Sequence, residues 1–152
     1  DDCYVTSFLE VNPNTFGAKI PQGYSFPFNV DSSDFIRLKP MASRNNALDK
    51  DIVIKVGGSS YASFFLDSDA YKKEVIFGIQ EDSEESFEDT YSSSLLSYVI
   101  KIHSFSKLVT IWPPNRIHWG RLPLKFSSSL GGMGEIEIYI KSNIQLECGS
   151  EK

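Results

Sequence analysis

Glu135-Ile136-Glu137-Ile138-Tyr139-Ile140-Lys141 is the stretch that decides the fold class. Ile136, Ile138 and Ile140 fall on one face, and Glu135, Glu137, Tyr139 and Lys141 fall on the other. A period of two belongs to a strand, whose successive side chains point to opposite faces. β-branched and aromatic residues fit such a pleated, half-buried surface. The stretch reads as an antiparallel strand with an apolar inner face and a polar outer one.

The same signal recurs on both sides. Upstream, Gly131-Gly132-Met133-Gly134 is a turn, and residues 122–126 form a weaker strand whose Pro123 places it at a sheet edge. Residues 107–112 form a strand stopped by Pro113-Pro114-Asn115. Further strands are read at residues 98–103, 73–79, 61–66, 51–56, 35–39, 26–30 and 4–9, and a last one at 144–146. Gly57-Gly58 and Pro21-Gln22-Gly23 punctuate them. Residues 92–101 alone also admit an amphipathic helix. Many short strands with turn signals between them predict an all-β fold, an antiparallel two-sheet sandwich or jelly roll with little helix. The expected core is Phe28, Val30, Ile36, Leu38, Ile52, Ile54, Val99, Ile111, Ile138 and Ile140.

Composition fits that class. The chain has 152 residues, 41% of them hydrophobic, with 11 Phe, 7 Tyr and 2 Trp. That length suits one domain, residues 1–152, with no linker or repeat dividing it. Six acids crowd residues 81–89, and Ser92-Ser93-Ser94 follows, so residues 81–94 read as an acidic, Ser-rich loop within the domain. The formal charge is −5, opposite to that of most nucleic-acid binders. The apolar runs are too short for a membrane span, so no membrane insertion is expected.

Cys3 and Cys148 lie near opposite ends of the chain with no third cysteine to compete. Their spacing fits no zinc or redox motif, and the termini of one domain are often neighbours. A disulfide between them is expected, and such a bond persists only in an oxidising compartment. The Asp1-Asp2-Cys3 start resembles that of a processed chain, so a secreted or extracellular location is expected. The sequence contains no Asn-x-Ser/Thr sequon.

The sequence offers little catalytic machinery. His103 and His118 are the only histidines, and nothing in the spacing brings acids to them. Neither glycine pair is followed by the lysine or helix of a phosphate loop, and Gly-x-Ser-x-Gly is absent. Asp31-Ser32-Ser33-Asp34 and Asp67-Ser68-Asp69 offer oxygen ligands, but they read as ordinary turns. No cofactor, metal or catalytic residue is assigned. Residues 101–125 hold five cations, no acid, both tryptophans and both histidines. Indole rings stack on flat faces, and guanidinium groups hold anions in a fork. Trp112, Arg116, His118, Trp119 and Arg121 are therefore the expected ligand-binding residues, around a loop that Pro113-Pro114 stiffens.

Phe28-Asn29-Val30-Asp31-Ser32-Ser33-Asp34-Phe35-Ile36-Arg37-Leu38 resembles the opening of the farnesoic acid O-methyltransferase-type domain. Asp51-Ile52-Val53-Ile54-Lys55-Val56-Gly57-Gly58 is similar to that family's strand ending in paired glycines. Val109-Thr110-Ile111-Trp112 and Ile117-His118-Trp119-Gly120 are similar in spacing to its later Trp motifs. The family's Asn and Arg after the glycines are replaced by Ser59-Ser60-Tyr61-Ala62. The resemblance implies a β-sandwich recognition module and supplies no catalytic residues. The reading is a secreted, non-catalytic binding module for a glycan or a cell-surface or secreted protein. The alternatives are a small secreted enzyme, by hydrolysis or methyl transfer, and a structural or assembly component.

Overall fold

A computed structural model describes residues 3–8, 20–42, 49–80 and 86–150, the side chains of 3–8 and 148–150 excepted. Among the described residues, nine strands form two antiparallel sheets. One sheet has five strands in the order β1 (Cys3–Phe8), β9 (Glu135–Ile140), β8 (Leu124–Ser129), β7 (Leu108–Trp112) and β2 (Phe28–Asp31). The other has four, in the order β5 (Lys72–Gly78), β4 (Tyr61–Asp67), β3 (Asp51–Gly57) and β6 (Phe87–Ser92). The architecture is the expected all-β sandwich.

Period-two alternation sets the inner faces. Ile111, Phe126 and Ile138 lie opposite one another across β7, β8 and β9. Ile54 lies opposite Phe64, and Phe64 opposite Val75, across β3, β4 and β5. All six are buried in one continuous core. Nine of the ten residues expected in the core are buried, and Ile36 is 40% exposed.

Ile36 fails because its segment is helical. Ser32–Phe35 is helix α1, and Ile36–Met41 continues as a 3-10 helix. Ser32, Phe35, Leu38 and Met41 are buried, one residue in every three. That is the 3-10 repeat, and it puts all four on one face and Ile36 on another. Residues 98–103, also read as a strand, belong to helix α2 (Ser93–Val99) and the 3-10 helix Ile100–Ser104. Here Leu95, Leu96, Val99, Ile100 and Ile102 recur at helical spacings and are buried.

Both helical segments are the connections by which the chain changes sheets. The first leads from β2 to β3 and the second from β6 to β7. They pack on each other. Phe35 lies between the sheets, with its ring 6.1 Å from that of Phe126 and 6.4 Å from that of Phe77.

Three further expectations change. The weak strand beside Pro123 is β8, which is central because Pro123 precedes the strand and removes no ladder donor. Residues 144–146 are helical, inside α3 (Asn143–Ser150). The Ser142 hydroxyl accepts from Gln145 N–H while Gln145 Oε1 accepts from Ser142 N–H, a reciprocal capping box. In the acidic segment, residues 81–85 lie outside the described residues. Phe87–Ser92 is strand β6, because Phe87 and Tyr91 are buried against Val56 and Ile52. Ser93 and Ser94 begin α2.

The cap of α2 comes from a distant part of the chain. Asp49 accepts hydrogen bonds from the Ser92, Ser93 and Ser94 hydroxyls and from Ser94 N–H. Burial alone would raise the carboxyl's pKa, but these donors outweigh it and hold it below its ordinary 3.8. A lowered folded pKa means the stabilisation is complete above the unfolded value and fades as pH falls through the folded one. Asp49→Ala is expected to cost about 1 kcal/mol near neutral pH, the usual magnitude for a lost cap. Urea unfolding at pH 7 and pH 3 should show a smaller difference between variant and parent at the lower pH.

Candidate functional site

The loop between β7 and β8 carries the expected site, and a second segment braces it. Ser25 N–H donates to Pro113 O, Asn115 N–H donates to Gly23 O, and Tyr24 Oη donates to Pro123 O. Gly23 has φ +90°, and a Cβ there would lie 2.5 Å from Leu122 Cδ1. The turn 21–24 thus favours glycine for its dihedral, and a side chain there would also push the Leu122 methyl aside. Within the loop, Arg116–His118 is one turn of 3-10 helix closed by His118 N–H to Asn115 O at 2.9 Å.

The five expected ligand residues do not form one cluster. Trp119 and Arg116 line a cleft of about 240 Å3 with Ser25, Phe26, Phe87 and Pro114. Trp119 is 38% exposed, yet its ring is fixed. Its Nε1–H donates to Pro114 O at 3.0 Å, and its ring meets Phe87 edge-on at 6.0 Å. His118 turns the other way. Its Nδ1 pairs with Asn115 Oδ1 at 2.7 Å, and its ring packs beside Gly23. Arg121 is exposed and does not line the cleft.

Trp112 is withdrawn from the loop altogether. It is 7% exposed and lies on the outer face of the five-stranded sheet, opposite Lys125. Lys125 Nζ lies 5.5 Å from the Trp112 ring centre, 5.8 Å from that of Tyr139, and 2.6 Å from Glu137 Oε1. Tyr139 Oη donates to Glu137 Oε2 at 2.8 Å, and Trp112 Nε1–H donates to Ser127 Oγ at 2.9 Å. Alternation correctly puts Lys125, Glu137 and Tyr139 on the face away from the core. It gives no sign that this face is buried, and both charged residues of the pair are only 5% exposed. In the register Lys125 faces Tyr139, and Glu137 is its diagonal neighbour on the same face, so no facing pair of opposite charges marks the ion pair in the sequence.

The cationic segment 101–125 is accordingly divided among three places. Lys101 and His103 are on the helical crossover, Arg116 and Arg121 are on the loop, and Lys125 is in the buried pair. Among the described residues, no group of three or more His, Cys, Asp or Glu is placed to hold a metal ion. Among those residues, no helix is long and apolar enough to cross a membrane. Cys3 lies in β1 opposite Ile140, and Cys148 lies in α3, the element after β9. The side chains of both cysteines lie outside the described residues. No family model and no curated protein matches the chain.

The buried pair makes a double-mutant test sharp. Removing one partner leaves the other charge buried alone, which costs about 3–5 kcal/mol. Lys125→Met is expected to destabilise by that amount in urea unfolding. Adding Glu137→Leu should recover most of the loss, because the paired charges themselves add little net stability.

Proposed function

We propose that this protein is a secreted, non-catalytic recognition module that holds its ligand against Trp119. One observation carries the reading. Trp119 lines the cleft and is 38% exposed, while a hydrogen bond and an aromatic contact hold its ring. A pre-set aromatic surface loses little conformational entropy when a ligand stacks on it. Arg116, Ser25 and Pro114 edge the same cleft, so polar groups flank the ring. A cleft of about 240 Å3 is smaller than pockets that engulf a ligand, and it suits one sugar ring or one side chain at a time. The sandwich and the resemblance to the farnesoic acid O-methyltransferase-type domain support the same class of function.

A glycan is the first ligand class, since a flat ring beside hydroxyl and guanidinium groups suits a sugar face. Phe26, 68% exposed, and Ile117, 78% exposed, favour a protein partner as the second class. A glycan array and a cell-surface binding screen with labelled protein separate the two. Trp119→Ala should lower glycan binding at least about tenfold, the equivalent of one lost stacking contact. If a protein is the ligand, Ile117→Asp should do the same while glycan signals stay at background. Binding in either screen that survives both substitutions would refute this site.

The extracellular reading rests on the Cys3–Cys148 bond. The pairing of β1 with β9 brings the backbone at the start of the chain beside the strand that leads into α3. Mass spectrometry of protein produced through a secretory pathway should find both thiols oxidised to each other. Two free thiols would remove the support for a secreted location.

A further inference from the structure

The two sheet-crossing helical segments enclose a cavity of about 480 Å3, lined by Lys39, Ala42, Ser97, Ile100, Lys101 and His103. This volume lies within the range of small-molecule sites. Among the described lining residues, three carry side-chain N–H donors and none is acidic. Among the described residues, the side chains of Lys39 and His103 have no hydrogen bond or ion pair. Lys101 has only the Tyr98 ring, 5.9 Å from its Nζ. Ser97 Oγ–H is already given to Ser94 O, so the three basic residues are the available donors.

Each basic residue also lies in the last turn of its helix, where a cation complements free carbonyls. That effect explains a cation at one helix end. It does not explain why two helix ends from separate crossovers meet at one cavity with no carboxylate among its described lining residues. In a chain of net charge −5, basic groups gathered without counter-charge are a place for an anion. Lys39 comes from one crossover and Lys101 and His103 from the other, so basic groups of two elements line one opening, which suits an acceptor with oxygens pointing in several directions. Ammonium groups bind such an acceptor as point charges, and the imidazole supplies an N–H in either protonation state.

We propose that this cavity binds a tetrahedral oxyanion, the sulfate or phosphate ester of a larger molecule, through Lys39, Lys101 and His103. It shares no lining residue with the Trp119 cleft, so the two sites stand or fall separately. The test is NMR titration of the His103 ring resonances at constant ionic strength. The probes are inorganic phosphate, inorganic sulfate and a heparin-derived sulfated disaccharide. A saturable shift with at least one probe is expected, weakened about tenfold for each lysine removed in Lys39→Gln and Lys101→Gln. Tightest binding of the disaccharide would identify a sulfated glycan as the source, and tightest binding of phosphate a phosphate ester. The proposal is overturned if no probe gives a saturable shift, or if the double lysine variant binds as the parent does.

Discussion

Phe35 is where the two sheets and the crossover between them meet. Its ring is fully buried, stacked toward Phe77 of one sheet and tilted against Phe126 of the other. Burying a phenylalanine stabilises a fold by about 1.5–3 kcal/mol, and each aromatic pair adds about 0.5–1.5 kcal/mol. The larger consequence is geometric. A helical segment that inserts a ring between two sheets fixes the spacing of both. Leu38 and Met41 extend the same face, and α2 with its following 3-10 turn packs against it. The sandwich is therefore held by its own connections as well as by facing strands. The basic cavity and the Asp49 cap both exist because those connections are ordered helices.

The outer face of the five-stranded sheet shows a different constraint. In a simple sandwich that face meets water, and lysine and glutamate there are exposed and worth little. Here Lys125 and Glu137 are buried beside Trp112 and Tyr139. Each polar atom finds a partner, which is the condition for keeping charge out of water. The pair adds little net stability, and its effect is to penalise mispairing. A one-residue slip of β8 against β9 would bury the lysine without the glutamate.

Much of the fold was legible in the sequence, and what was missed has a common physical cause. Strands with strict alternation, such as β3 and β9, were read with nearly their observed bounds. The errors fall where apolar residues are sparse enough to fit two periods. Phe35-Ile36-Arg37-Leu38 fits a strand over four residues, and only the longer series Ser32, Phe35, Leu38, Met41 exposes the three-residue repeat. Ser142-Asn143-Ile144-Gln145 carried a capping-box signature that outweighs the β-branched Ile144 after it. The candidate site was half legible. Loop prolines and an exposed Trp-Arg pair can be read from spacing. The partners that sort Trp119 from Trp112 cannot, because Phe87 and Lys125 are brought there by sheet pairing.

That sorting explains why a recognition surface belongs on this loop. Trp112 is the last residue of β7, so its ring is committed to the sheet surface and to Lys125. Trp119 lies beyond two prolines and a 3-10 turn, where no strand neighbour claims its face. A loop tryptophan left to itself would collapse onto the nearest apolar surface or sample several rotamers. Two restraints prevent both outcomes: Pro114 O holds the indole N–H, and Phe87 meets the ring edge-on from the other sheet. The contact with Phe87 also links the loop to strand β6, which Phe87 opens. The same edge-on contact that holds the stacking ring ties this loop, which joins two strands of one sheet, to the first residue of a strand in the other.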